Sequence, residues 1–178
     1  MMTKFVRFNL YLCLALSLVF GAACHSTPEA KKKKKEEKQV AYLDLHLEVN
    51  RDGSLDNEEV TINRSSPYTI NVDKMPFVDS GDIDEAVIVD DFGGFVIRLK
   101  YDWRGTQLLD GATSANHNKR IAVFARWPES RWLASPVIVK RIGDGVFNFT
   151  PDCSREEAEK IVRGLNNVAK KAKDADKW

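Results

Sequence analysis

The segment Glu48–Glu59 carries the densest set of potential metal-binding side chains in this 178-residue chain. Its oxygen donors recur around Gly53 with the spacing of a calcium-binding loop. However, Glu48 stands at the first ligand position, where such loops have Asp, and the preceding residues alternate as in a strand instead of an amphipathic helix. We therefore predict a β-turn with solvated acidic side chains and no metal site.

The other reactive side chains form no recognised catalytic pattern. The three histidines are scattered, and the chain has no metalloprotease, nucleophile-elbow, phosphate-loop or dinucleotide-binding motif. Cys153 precedes the predicted helix cap Ser154, where a helix N-terminus could lower the pKa of the thiol, but a packed and inert thiol is favoured. We predict a non-enzymatic protein without a cofactor, and an unrecognised hydrolase is the least favoured class.

Aromatic and basic side chains meet in the segment Trp127–Trp132, which is predicted to be a hairpin loop with a tryptophan on each flank. Tryptophan and arginine dominate the binding energy of protein interfaces, so Trp127, Arg131 and Trp132 are possible partner-contact residues. The alternative is a cross-strand aromatic pair that stabilises the hairpin.

The N-terminal residues 1–23 are predicted to be a signal peptide. Lys4 and Arg7 precede the apolar run Leu10–Ala23, which is shorter than a membrane-spanning helix requires. Small residues directly before Cys24 are similar to the bacterial lipobox, which implies a lipoprotein whose cysteine carries the acyl groups, palmitate among them, that anchor it in the membrane. The alternative is an ordinary signal peptide that ends near a cysteine.

This N-terminal signal also predicts where the protein resides. It places the mature chain on the extracytoplasmic side of a bacterial cell envelope, in the periplasm of a cell with two membranes. The residue after Cys24 is His25 and not the Asp that typically retains lipoproteins in the inner membrane, which favours the outer membrane where there is one.

Residues 24–39 are predicted to be a charged tether that links the lipid to the folded body. Five consecutive lysines, Lys31–Lys35, are followed by Glu36 and Glu37. A soluble spacer of about 20 Å is favoured, and a second membrane signal is the alternative.

The body, residues 40–178, is predicted to be a single α+β domain. Strict alternation at Tyr42–Val49 indicates a half-buried strand, Thr106–Asn116 a short helix, and the capping box from Ser154 to Glu157 a long C-terminal helix. A mostly antiparallel sheet with one short and one long helix follows from this pattern. The further strands are predicted at Val60–Asn63, Tyr68–Val72, Ala86–Val89, Gly94–Tyr101, Lys119–Trp127, Ser135–Ile142 and Val146–Phe149. The body has 19 basic and 23 acidic residues, which disfavours nucleic acid as a partner.

Five short motifs follow one another in a recognisable order within the body: Thr106–Asn116, Asn118–Val123, Ser135–Ile138, Asn148–Thr150 and Glu156–Ala158. Their order and spacing resemble the first periplasmic head subdomain of SecD and SecDF, the auxiliary subunit of bacterial protein export, over about residues 73–165. The resemblance implies the fold of that head and contact with a secreted polypeptide or the export machinery.

The sequence departs from the SecD pattern at several points. Asn118 and Phe147 stand where the family has glycine, and the segment Trp127–Trp132 is longer than the family's hairpin. The six membrane helices of SecD have no counterpart here, so a complete export motor is not expected. A structural subunit of an envelope assembly is the runner-up function.

Overall fold

The structure, a computed structural model, describes residues 36, 38–127 and 129–175. These residues form antiparallel strands and two helices. Cys24, the predicted signal peptide and most of the predicted tether lie outside the described residues. The elements are β1 Tyr42–Leu47, β2 Asn57–Ile62, β3 Tyr68–Asp73, a 3-10 turn Ser80–Asp82, β4 Ile83–Asp91, β5 Gly94–Tyr101, α1 Trp103–Ala115, β6 Ile121–Arg126, β7 Ser130–Ala134, β8 Val146–Phe149 and α2 Arg155–Ala175.

The strands form two three-stranded sheets and a separate hairpin among the described residues. The first sheet has the order β1-β6-β7, the second sheet has the order β4-β5-β8, and β2 pairs with β3. All these pairings are antiparallel. The predicted α+β class with one short and one long C-terminal helix is therefore confirmed.

Helix α2 covers the second sheet because its apolar stripe faces inward. Ile161 and Leu165 are almost fully buried in the main core, together with strand residues from both sheets. Ser154 Oγ accepts a hydrogen bond from the Glu157 amide at 3.2 Å, which caps the helix as the sequence predicts. Asn166 bonds both backbone groups of Ala86 at 2.8 Å, so the helix also covers the edge of β4.

The β2–β3 hairpin covers part of the outer face of the first sheet. Its four buried aliphatic side chains, with Ala122 of β6, make a second and smaller core cluster against which Trp132 packs. The turn before this hairpin is the segment that resembles a calcium loop. There Asp52 Oδ1 accepts hydrogen bonds from the Ser54 amide and from Asn57 Nδ2, so the carboxylate stabilises a turn.

Two predicted element boundaries are wrong for reasons that lie in local hydrogen bonding. Helix α1 begins at Trp103, three residues before the predicted start, because the Asp102 carboxylate accepts the Gly105 amide at 2.7 Å and caps the helix. Strand β4 begins at Ile83, three residues before the predicted start at Ala86, directly after the 3-10 turn Ser80–Asp82.

The prediction for the segment after β6 is also wrong. The predicted strand Ser135–Ile142 is not a regular strand, and it meets its neighbour through an isolated bridge between Val137 and Arg120. The hairpin connection is shorter than predicted, since Arg126 already pairs with Ser130 and the second half of the predicted loop, Ser130–Trp132, belongs to β7. Pro136 lacks the amide that a continuing ladder would require.

Candidate functional site

The three predicted partner-contact residues do not form one patch. Trp127 packs against the main core, whereas Trp132 packs on the outer face of the first sheet. The ring of Trp132 lies 4.8 Å from that of its cross-strand neighbour Phe124 and 5.1 Å from that of His46. An aromatic cross-strand contact therefore stabilises the hairpin, but its partner is Phe124 and not Trp127.

Arg131 is held by bonds within the domain. Its guanidinium donates to the Asp152 carbonyl at 2.6 Å and to Glu157 Oε1 at 2.5 Å, and its side chain is only 16% exposed. It thus joins β7 to the first turn of α2. Trp127 and Arg131 do line one shallow cleft, but contact with a partner through these residues stays a prediction.

A deeper groove lies between the segment 136–144 and strand β8. Its volume is about 450 Å³, and Ile121, Ile138 and Phe147 lie at its apolar floor. Val137 and Val139 stand at its rim and are 40% and 71% exposed. Exposed β-branched residues beside a buried floor make this groove a candidate binding site.

One wall of the groove is an open strand edge. Both backbone groups of Ile138 bond to the segment that precedes β6. Its amide donates to the Lys119 carbonyl at 2.8 Å, and its carbonyl accepts a hydrogen bond from the Asn118 amide at 3.0 Å. Backbone groups alternate in direction along an extended segment, so those of Val137 point away from residues 118–121 and toward the groove. The carbonyl of Val139 is bonded to His117 Nε2 at 2.9 Å.

Strand β8 presents a second open edge to the same groove. Gly145 accepts the Tyr101 amide at 2.9 Å, which makes residues 145, 147 and 149 the ones that bond to β5. The backbone groups of Val146 and Asn148 therefore point away from β5 and into the groove. The Val146 amide is bonded to Asp144 Oδ1 at 3.1 Å, which leaves the Val146 carbonyl and Asn148 for a further strand.

This arrangement of sheets is also found in a known protein. A solved structure of SecDF, a membrane component that enhances protein export, matches 82% of this chain and 70% of that chain, with a TM-score of 0.56 and 19% identity. The domain has a SecD-head-like fold. A crystal structure of SecDF in the super-membrane-facing form matches 79% of this chain and 21% of that chain, with a TM-score of 0.54 and 19% identity.

The SecD resemblance predicted from the motifs is thus confirmed at the level of the fold. No family model and no curated protein matches the sequence. Among the residues of the SecD-head-like domain that the structure describes, no helix is both long and apolar enough to cross a membrane.

The loop that forms the groove of this SecD-head-like domain is fixed to α1. Arg141 makes a bidentate ion pair with Asp110, in which its Nη2 lies 2.6 Å from Oδ2. That hydrogen-bonded pair lowers the pKa of the Asp110 carboxyl. The Ile142 amide donates to Thr113 Oγ1 at 2.9 Å. Both bonds fix the rim of the groove to α1.

The closing glycine of the loop is required by space and by conformation. Gly145 has a φ of 69°, and a Cβ on it would collide with Thr106 of α1. This groove is not apparent from the sequence because Val137, Val139 and Val146 are typical of ordinary strands. The signal that could have indicated an open edge is Pro136, since proline within sheets occurs at edges.

Burial suppresses the nucleophilic chemistry of Cys153 in this domain. Desolvation raises the pKa of its thiol to about 11, and the nearby Glu157 adds to the shift. The possibility that the start of α2 activates this thiol is therefore not supported. No group of three or more His, Cys, Asp or Glu side chains within the described ranges is placed to hold a metal ion.

Proposed function

We propose that this protein is a non-enzymatic, lipid-anchored protein of the bacterial envelope whose SecD-head-like domain binds extended polypeptide segments on the extracytoplasmic side. The carrying observation is that the open backbone edges at Val137 and at Val146–Asn148 belong to the two segments that line one groove. The signal peptide and Cys24 support the anchoring, since small residues precede that cysteine directly.

An extended backbone is the ligand that complements two open edges. It carries donors and acceptors on both sides, so a strand between Val137 and Asn148 can bond to both walls at once. Every second side chain of a strand bound in the groove points to the floor, where it meets Ile138 and Phe147. Apolar residues are therefore favoured at every second position of the bound polypeptide. Because the backbone supplies most of the contacts, such binding tolerates many sequences.

The likeness to SecDF supports this assignment. SecDF enhances protein export. A polypeptide-binding surface on a domain of the same fold suits contact with exported chains or with components of the export machinery. The proposed partners are therefore a secreted polypeptide and the membrane that holds the lipid at Cys24.

Site-specific crosslinking in living cells tests the polypeptide contact. A photoreactive amino acid at Val139, on the rim, should form adducts with other polypeptides, whereas one at the exposed hairpin residue Phe92 should not. The substitution Val137→Pro removes one amide that faces the groove and should reduce the adducts by about two- to tenfold, the worth of one hydrogen bond. Val137→Thr keeps that amide and is the matched control.

The outcomes of this crosslinking separate the proposed function from its competitors. Equal yields from Val139 and Phe92 would refute the groove as a binding site. Adducts formed only with a second copy of the chain would favour a structural, self-associating subunit instead. Mass spectrometry of the mature N-terminus tests the anchor by itself, and an unmodified Cys24 would overturn that part of the proposal.

A further inference from the structure

A cleft on the outer face of the first sheet combines polar and aromatic side chains. It has a volume of about 380 Å³ and is lined by residues of β1, β2, β6 and β7 and by the segment 74–79. We call it the outer cleft. It shares no lining residue with the groove, so it is a separate feature of the surface.

His46 presents an unpartnered ring nitrogen to the outer cleft, although only 6% of the residue is exposed. Its Nδ1 lies 2.8 Å from the Asp73 carbonyl oxygen. Because a carbonyl oxygen only accepts, Nδ1 carries the proton and Nε2 carries a lone pair.

The surroundings of His46 leave this lone pair open to a ligand. None of the residues that the structure describes donates a hydrogen bond to Nε2. Within the same residues, the Tyr101 hydroxyl is the only sealed side-chain nitrogen or oxygen that lacks a partner, so Nε2 is in contact with solvent. For a residue as buried as His46, that contact is through the cleft, and a donor that enters the cleft can reach Nε2.

Further acceptors line the same cleft. The Glu58 carboxylate makes no hydrogen bond or ion pair with any residue in the described ranges. Asp79 Oδ1 accepts the Gly81 amide at 2.6 Å, which leaves Asp79 Oδ2 unused. Two carboxylates and one imidazole nitrogen are therefore available to a ligand that donates hydrogen bonds.

The two cations of the outer cleft are already engaged within the domain. Lys74 Nζ donates to the Leu55 carbonyl, and Arg126 Nη2 lies 2.9 Å from Asp44 Oδ2. Burial nevertheless raises the pKa of the Asp44 carboxyl although Arg126 opposes the shift, and Asp79 adds to the rise. The cleft is thus short of positive charge, which disfavours an anionic ligand.

We propose that the outer cleft binds an organic cation, the lysine or arginine side chain of a polypeptide, which donates to His46 Nε2 and pairs with Glu58 and Asp79. Charge complementarity carries the inference, since a charged donor makes the strongest hydrogen bonds with such acceptors. The ring of Trp132, 5.1 Å from that of His46, adds an aromatic surface that attracts cations. A metal ion fits less well, because no three His, Cys, Asp or Glu side chains of the described part of the chain are placed to hold one.

The source of this cation rests on the proposed contact with polypeptides, to which the cleft adds a preference for basic residues. Nitrogen NMR of the full chain with 15N-labelled histidine tests it. The chain has three histidines, so the variants His25→Gln and His117→Gln assign the His46 signal. Nα-acetyl-lysine amide or Nα-acetyl-arginine amide should shift the Nε2 resonance of His46 to saturation, and high salt should weaken the binding. The uncharged Nα-acetyl-norleucine amide should leave the resonance in place.

Two variants of strand β2 sharpen the test. Glu58→Gln removes one charge from the cleft and should weaken the binding of the lysine compound by about two- to fivefold, the worth of an exposed ion pair. Glu59→Gln changes the net charge equally, but neighbouring side chains of a strand point to opposite sides, and Glu59 pairs with Arg51 at 3.3 Å. This control should bind as the wild type does.

The outcomes of the titration decide the proposal. A shift with only one of the two basic compounds supports it and identifies the preferred side chain. An unchanged His46 resonance with both compounds overturns it, and so does an equal shift with the norleucine compound or an equal loss in the two variants. The titration does not involve the groove, whereas the crosslinking from Val139 does. Failure of the outer cleft is therefore distinguishable from failure of the proposed polypeptide contact.

Discussion

Substitution of Gly164 by alanine tests how tightly the incoming chain is packed on α2. A Cβ at this position would lie 2.6 Å from the Ala41 amide nitrogen and 2.9 Å from the Val40 carbonyl carbon. Both are backbone atoms, so relief requires that the segment or the helix moves. The same segment leads to the tether, which makes Gly164 the point at which α2 holds the chain's path into the domain.

Two opposing effects set the size of the loss. Alanine is favoured over glycine inside a helix by about 1 kcal/mol. Overpacking against backbone costs about 1–3 kcal/mol. Because the clash involves two backbone atoms well inside contact distance, the cost prevails, and we expect a net loss of about 1–2 kcal/mol in the free energy of unfolding. For a domain of this size that lowers the Tm by about 3–6 °C.

Thermal and denaturant unfolding of the variant measure this loss, and α1 offers a matched control. Gly111 also lies inside a helix, but a Cβ there would meet nothing within 4 Å. Gly111→Ala should therefore stabilise the protein by about 0.5–1 kcal/mol through helix propensity alone. If Gly164→Ala raised the Tm as much as Gly111→Ala, the close packing of residues 40–41 on α2 would be refuted.

Two further predictions concern titration. Burial raises the pKa of the Asp82 carboxyl, although the neighbouring Arg104 opposes the shift. The folded state therefore binds a proton at Asp82 more readily than the unfolded state does. The stabilisation that this proton provides is lost as the pH rises from the usual pKa of a carboxyl through the raised pKa. The stability of the wild type relative to Asp82→Asn should thus decline as the pH rises above about 4 in denaturant titrations, and a flat difference would contradict the shift. The pKa of the Cys153 thiol is raised from 9.0 to about 11, so this thiol should be alkylated about 100-fold more slowly in the folded protein than in denaturant. Peptide mass spectrometry follows the alkylation, and equal rates would contradict the burial of the thiol.

Local signals in the sequence were sufficient for the long elements. The capping box at Ser154 and the apolar stripe through Ile161 and Leu165 predicted α2 because both depend on residues within one helix. The alternation in β1 predicted the strand in the same way, but the strand is not half-buried as predicted, because Asp44 and His46 on its polar face are buried too. Boundaries were less predictable where a single side chain decides them, as Asp102 does for α1.

The groove could not be read from local patterns because it is a product of tertiary pairing. Whether Val137 faces a neighbour or open space depends on tertiary pairing, because the segment bonds to residues 118–121, which precede it in the chain by more than a strand. The environment of Trp132 also depends on tertiary pairing. Its ring is covered by the β2–β3 hairpin and by His46 of β1, so its type and flanks indicated contact, but its partners lie within the domain.

The fixed loop of the groove determines what kind of polypeptide contact is possible. Since Arg141 and Ile142 are bonded to α1, an incoming strand would order little besides itself. Ordering costs that strand about 1–2 kcal/mol per residue, while each new hydrogen bond returns a net of only about 0.5–1.5 kcal/mol. Backbone pairing alone is therefore close to neutral, and affinity depends on apolar side chains that reach Ile138 and Phe147. If the groove binds polypeptides as proposed, we expect it to hold many sequences briefly and none tightly.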